Sequence, residues 1–124
     1  MSNDSTQLEP HDYEIGEVGG FVVIRIKREI HSQMDFGWLR RLFEESCAAG
    51  KSRIAVAFDK NSYLYSRIIT ALVASSKVVK ACGGELAVVD PGKYVLGTLD
   101  TMKLRDSIIS VYRSENDLRA GNRL

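Results

Sequence analysis

The sequence contains no long apolar run and carries almost no net charge. No stretch approaches the roughly 18 consecutive apolar residues that a membrane-spanning helix needs, and the beginning, MSNDSTQLEPHDYE, lacks the apolar segment of a secretory signal. Its 17 basic and 16 acidic residues leave a formal net charge of +1, so no strong field attracts nucleic acid or an anionic membrane. We therefore expect a cytoplasmic protein that binds neither nucleic acid nor membranes.

Cysteine and histidine are also scarce. Cys47 and Cys82 lie in separate segments, and together with His11 and His31 they show no spacing typical of a metal site. A reduced cysteine packs as a small apolar side chain. Both thiols are therefore expected in or near the core, with no metal and no other cofactor bound.

Motifs of common enzyme classes are missing as well. The chain has no G-x-S-x-G elbow, no P-loop and no G-x-G-x-x-G, and neither histidine is near Ser66 in sequence. A serine nucleophile would have no evident base. We therefore do not expect an enzyme or any catalytic residue; the alternative is an enzyme or small-ligand site at the strand ends using Asp59, Lys60, Ser66 and Asp90.

The length of 124 residues suits one domain with one core. Residues 1–9 are polar and without periodicity, and we expect them to be disordered. Residues 10–121 would form the domain, and residues 122–124 a short tail.

Strands are predicted where β-branched and apolar residues cluster between turn signals. Segments 13–18 and 21–27 form a candidate hairpin around Gly19 and Gly20. Segment 53–58 (RIAVAF) is apolar without alternation, which is typical of a strand covered on both faces. Segments 85–89 and 108–112 are the remaining candidates.

Helices are predicted where apolar residues recur at helical spacing. The first would lie between Asp35 as N-cap and Gly50 as C-cap, with an exposed ion pair between Arg41 and Glu45. Its buried face would consist of Phe36, Leu39, Phe43 and Cys47. The second is predicted over 66–81, with an inner side made of Ile69, Leu72, Val73, Ser76, Val79 and Lys80. A third over 94–99 and a fourth over 115–120, capped by Ser114, complete the set.

This order of elements predicts an α/β fold. Parallel strands joined by helices require right-handed crossovers. We expect one central mixed β-sheet, with a parallel core and an N-terminal antiparallel strand, and helices packed mainly on one face. Loops beyond the carboxyl ends of such strands usually carry function, and residues 59–65 form one of them.

Two interpretations of Ser66 follow from its position before the second helix. It could be a helix cap, a contribution of about 1 kcal/mol, or a phosphorylation site whose phosphate meets the free N–H groups of the helix start. Arg67 is unfavourable in a first helical turn unless an anion is near. That anion could be Asp59, a phosphoserine, or an acidic group of a partner.

The sequence also resembles the STAS domain of bacterial anti-sigma factor antagonists over about residues 12–120. The resemblance rests on the strand 54–58, on Ser66 at the phosphorylated serine of the D-S-[ST]-G motif, and on Gly83 and Gly84 before segment 85–89. Segment 94–99 and Met102 match the third helix of the family and its exit, and Val111, Tyr112, Ser114 and Leu118 match its end.

Several positions depart from the family pattern. Tyr65 replaces the aspartate of the motif, Arg67 its second small residue and Ile68 its glycine. Residues 28–31 (REIH) stand where the family reads G-x-L-D.

The resemblance implies a STAS-type fold and a regulatory protein that is not an enzyme. Such proteins bind an anti-sigma factor that is also a serine kinase of the histidine-kinase-like ATPase type, and phosphorylation of the serine ends binding. Residues expected to bind the partner are Asp59, Asn61, Tyr63, Leu64, Tyr65, Ser66 and Arg67; Tyr63 and Tyr65 could instead close the top of the core. The departures favour an alternative, a STAS scaffold that binds partners constitutively without phosphorylation, and the oligomeric state stays open.

Overall fold

The structure is a computed structural model that describes residues 9–124. Of the segment predicted to be disordered, residues 1–8 lie outside the described residues. The backbone N–H of Glu9 donates to the Asp12 carboxylate at 2.8 Å. This bond begins a short 3₁₀ helix, Pro10–Asp12, which leads directly into the sheet.

A five-stranded sheet forms the centre of the molecule, with its strands in chain order. The strands are β1 Tyr13–Val18, β2 Phe21–Ile26, β3 Arg53–Ala57, β4 Glu85–Val89 and β5 Ser110–Tyr112. The pair β1 and β2 is antiparallel, whereas β2 to β5 are parallel. The predicted mixed sheet is therefore confirmed.

Four helices connect and follow these strands in the described part of the chain. They are α1 Gly37–Ala48, α2 Ser66–Ala81, α3 Lys93–Thr101 and α4 Glu115–Ala120. Because parallel neighbours in chain order are joined by right-handed crossovers, α1, α2 and α3 share one face of the sheet. None of the helices in residues 9–124 is both long and apolar enough to span a membrane.

Alternate residues along the strands face opposite sides of the sheet and pack into two different hydrophobic clusters. On β3, Ile54 and Val56 pack against the helix-covered face, while Ala55 joins a smaller cluster on the other face. That smaller cluster includes Leu118 of α4. The prediction of helices mainly on one face is confirmed, since among the α-helices of residues 9–124 only α4 covers the second face.

An ion pair attaches α4 to this second face. The Arg25 guanidinium donates two hydrogen bonds to the Glu115 carboxylate, at 2.7 and 2.8 Å. This contact lowers the pKa of Glu115. The helix itself is bounded as predicted, because the Ser114 hydroxyl accepts from the backbone N–H of Asp117 at 3.1 Å and Gly121 ends it in a left-handed conformation, with φ of 78°.

The interpretation of Ser66 as a helix cap is wrong. Tyr65 is the N-cap residue of α2, with an extended backbone, and Ser66 is already the first helical residue. A residue in helical conformation at the first position does not take the N-cap role, which requires non-helical backbone angles. The N-cap of α1 also differs from the predicted one by one residue, because Phe36 takes this position instead of Asp35. The Asp35 carboxylate accepts from the Gly37 N–H at 2.9 Å.

The buried side of α2 is rotated from the predicted one. Its buried residues are Ile68, Leu72, Ser75, Ser76 and Val79, whereas Ile69 and Val73 are half-buried. The reason is that α2 packs against both α1 and the sheet. The predicted pair of Arg41 and Glu45 is absent from the described ion pairs, and Arg40 bonds Glu44 at 3.3 Å instead.

Two further local predictions need correction, and the predicted tail makes a contact of its own. Cys82 is exposed at the end of α2, so only Cys47, which is half-buried, lies near the core. The last strand is shorter than predicted, because the N–H groups of Ile108 and Ile109 both donate to Leu104 O in a turn. The predicted tail is attached to β5: the Leu124 N–H donates to Val111 O at 2.7 Å.

Candidate functional site

Loops at the carboxyl ends of β2, β3 and β4 meet at one edge of the sheet. The Ser62 hydroxyl, which is buried, accepts from the backbone N–H of Ile30 at 3.1 Å and joins the loops after β2 and β3. Gly92, also buried, lies so close to Lys60 O that a side chain would collide with this carbonyl. The loop containing residues 59–65 is thus held from both sides.

The same loop is also ordered from within. The Asp59 carboxylate accepts from the Asn61 N–H at 2.9 Å, and Asp59 O accepts from the Ser62 N–H at 3.0 Å. Aspartate commonly forms such turns with the backbone two residues on. Leu64 anchors the loop from below, because it is only 7% exposed and belongs to the main core.

The predicted partner-binding residues are brought together, but they differ in exposure. Asn61, Tyr63, Ser66 and Arg67 are exposed, Asp59 and Tyr65 are half-buried, and Leu64 is buried. Tyr65 packs against the main core. Four of these side chains are therefore accessible to solvent, while the other three are partly or fully buried.

Ser66 lies at the rim of a groove of about 470 Å³ between α1 and α2. One wall is the approach to α1 and its first turn, and the other is the outer side of the first half of α2. The lining residues are Met34, Asp35, Phe36, Gly37, Arg40, Ser66, Arg67, Thr70, Ala71 and Ala74. The free N–H groups at the start of α2 give this end of the groove a positive potential.

Arg67 has no ion pair within the part of the chain that the structure describes. Asp59, the intramolecular anion considered for it, bonds the Asn61 N–H instead. The guanidinium of Arg67 is therefore exposed and available at the start of α2.

A cluster of tyrosines extends this surface onto α3. The rings of Tyr63 and Tyr94 stack with their centroids 4.3 Å apart, and Tyr65 lies 6.1 Å from Tyr63. The Lys93 ammonium lies 5.2 Å from the centre of the Tyr94 ring. A hydrogen bond with Tyr94 raises the pKa of Tyr63. Tyr63 and Tyr94 are 47% and 37% exposed, so both rings face solvent.

Sequence reasoning missed Ser62, Tyr94 and Gly92 as parts of this site. A small polar residue between Asn61 and Tyr63 was a weak signal for Ser62, and the Pro-Gly pair before Tyr94 indicated only a turn. Their roles depend on which loops the sheet places side by side.

Two features of residues 9–124 bear on metal binding and on the state of Ser66. No group of three or more His, Cys, Asp or Glu side chains converges there on a metal position, and no hydrogen bond in that range involves the Ser66 hydroxyl. The Ser66 side chain is exposed to solvent.

Solved structures supply the comparison that identifies the fold. The crystal structure of a "putative anti-sigma factor antagonist" of Thermotoga maritima, TM1081, matches with a TM-score of 0.74 and 19% identity. The match covers 90% of this chain and 94% of that one. The chain has the fold of this antagonist. An NMR structure of TM1081 matches with a TM-score of 0.72 and 19% identity, over 97% and 95% of the two chains.

The expected STAS-type fold is confirmed by this likeness. Searches against models of protein families gave no match, and no curated protein matched the sequence.

Proposed function

We propose that the protein is a regulatory binding module of the anti-sigma factor antagonist type. Its partner would be an anti-sigma factor with serine kinase activity of the histidine-kinase-like ATPase type, in a bacterial cytoplasmic pathway that regulates transcription. The observation that carries the proposal is the exposure of Ser66 at the start of α2, directly after an ordered loop, in a fold shared with an anti-sigma factor antagonist.

Order in the loop supports a binding role. Association loses free energy when interface loops must first be ordered. Here the Asp59 turn and the Ser62 bond already hold the loop, the exposed Tyr63 projects from it, and the exposed Arg67 follows in the first turn of α2. Tyrosine and arginine are enriched among residues that dominate binding energy. Asn61, Tyr63, Ser66 and Arg67 would contact the partner, with Asp59, Leu64 and Tyr65 supporting them.

Phosphorylation of Ser66 would turn binding off. A phosphate adds about −1.5 to −2 charges. The start of α2 and the exposed Arg67 could accept this charge without unfolding the helix. A partner surface packed over Ser66 would have to desolvate the phosphate, so the complex would dissociate while the fold persists.

Ser66→Asp tests the switch. The variant should bind the host's anti-sigma factor kinase at least about tenfold more weakly than the wild type, the effect expected for a central interface residue. Asn122→Asp is the matched control. Asn122 is exposed in the C-terminal segment, so the substitution adds a similar negative charge away from this surface. Equal binding by wild type and Ser66→Asp, measured by calorimetry, would refute the switch.

A constitutive scaffold without phosphorylation is the second candidate function. It is favoured by the burial of Ile68, which is 0% exposed where the family motif has glycine. The test is site-mapped mass spectrometry of the protein isolated from its host during growth and under stress. Phosphate on Ser66 in either condition would remove the scaffold hypothesis, and its absence in both would favour it.

A further inference from the structure

Cys47 and Cys82 lie at the C-terminal ends of two neighbouring helices. Cys47 is in the last turn of α1, and Cys82 is the C-cap residue of α2. These helices pack against each other and lead into the adjacent parallel strands β3 and β4. The sheet therefore brings together two thiols that are far apart in sequence.

The chain segments after the two helices are in close contact. The Glu85 N–H donates to Ser52 O at 3.0 Å, and the approach of Gly84 to Ser52 leaves no space for a side chain on the glycine. Because each segment follows its cysteine by a few residues, this contact fixes the spacing of the two helix ends.

The Cys82 side chain lies close enough to Cys47 to influence its ionisation. Burial raises the pKa of Cys47 to about 11, and the interaction with Cys82 contributes to this increase. Cys47 is thus a neutral thiol at physiological pH. Cys82 is exposed, and reaction with oxidants depends on solvent access as well as on thiolate formation.

We propose that Cys47 and Cys82 form a reversible disulfide that links the ends of α1 and α2 when the protein meets a peroxide. The Cys82 thiolate attacks hydrogen peroxide: an S–O bond forms, the O–O bond breaks, and the departing hydroxide takes up a proton to become water. The Cys47 thiol then loses its proton and attacks the sulfenic sulfur of Cys82. The S–S bond forms, the S–O bond breaks, and a second water leaves, so both sulfurs are oxidised and the peroxide is reduced.

The crosslink would act on the helices that line the groove beside Ser66. Gly37 and Arg40 of α1 face Ser66 and Thr70 of α2 across that groove. A bond between the opposite ends of the same two helices would restrict their relative movement. An effect on partner binding rests on the proposed function, whereas formation of the disulfide does not.

Treatment of the reduced full-length protein with hydrogen peroxide tests the proposal. The expected product has lost two hydrogen atoms by intact mass, has no titratable thiol after denaturation, and regains both thiols with dithiothreitol. A peptide joining Cys47 to Cys82 should be found at any protein concentration. The crosslink should also raise the melting temperature by about 5 °C or more.

Cys82→Ser and Cys47→Ala are the matched variants, and each should retain one free thiol and form no intramolecular crosslink. Cys82→Ser is an exposed change at a helix end, so it keeps the test valid even if Cys47→Ala folds poorly. A wild-type product that only gains oxygen, or that crosslinks only between molecules, would overturn the proposal. Because the readout is the bond itself, its failure is distinguishable from failure of the proposed function.

Discussion

The buried hydroxyl of Ser62 accepts a hydrogen bond from the backbone N–H of Ile30, 3.1 Å away. The two residues belong to different loops, and their bond fixes the surface that presents Tyr63 and Ser66. Neither loop has regular secondary structure at this point, so the bond substitutes for the backbone pairing that strands and helices provide.

Removal of this hydroxyl should destabilise the protein. Ser62→Ala leaves a buried backbone N–H without its acceptor, which costs about 1–3 kcal/mol. Chemical denaturation of the variant should show this loss in the free energy of unfolding. Ser32→Ala, an exposed change in a neighbouring loop, is the control and should alter stability little. Equal stability of both variants would mean that the bond contributes nothing.

Two adjacent serines on α2 should respond in opposite ways to substitution by alanine. Ser75 is fully buried, and its hydroxyl has no partner among the residues described. The Ser76 hydroxyl donates to Ile108 O at 3.1 Å. Ser75→Ala should raise stability by up to about 1 kcal/mol, and Ser76→Ala should lower it by about 1 kcal/mol. Thermal and denaturant unfolding would check this order, and a reversal would contradict it.

Tyr63 should matter for binding more than for folding. Its ring is 47% exposed and stacks on Tyr94. Tyr63→Ala should weaken binding of the anti-sigma factor kinase about tenfold or more, while unfolding changes little. Ile15→Ala is a matched control, because Ile15 is 52% exposed on β1. If Ile15→Ala weakened binding as much as Tyr63→Ala, the loss of affinity would not be specific to the surface around Tyr63, and the prediction would be contradicted.

Acid should destabilise the sheet through Glu85. Burial opposes ionisation of Glu85, but hydrogen bonds from Ser110 and Tyr112 and the charges of Arg123 and Arg53 outweigh it and lower the pKa. Because the folded pKa lies below the ordinary value of 4.5, the stabilisation is present above about pH 4.5 and is lost as pH falls through the folded pKa.

Glu85→Gln should reduce the dependence of stability on pH in this acid range. Glu45→Gln, which changes an exposed carboxylate without an ion pair among the described residues, should leave the dependence as in the wild type. The measurement is the free energy of unfolding at several pH values between about 3 and 6. Parallel curves for wild type and Glu85→Gln would show that Glu85 does not control the acid response.

Local sequence patterns determined most of the elements and their order. The β-branched and apolar segments of β2, β3 and β4 form strands because their side chains pack on a pleated surface, and Ser114 and Gly121 bound α4 because capping depends only on nearby backbone groups. Given this alternation, the right-handed crossover rule leads to helices on one face.

The tertiary structure decided which residues are neighbours at the site. Ser66 became a helical residue rather than a cap because Tyr65 is the residue with the extended backbone. Tyr63 meets Tyr94, and Cys47 meets Cys82, only because the order of the strands places loops and helix ends together. Local propensities act over a few residues, whereas these contacts join segments separated by whole strands and helices, so they depend on packing of the complete fold.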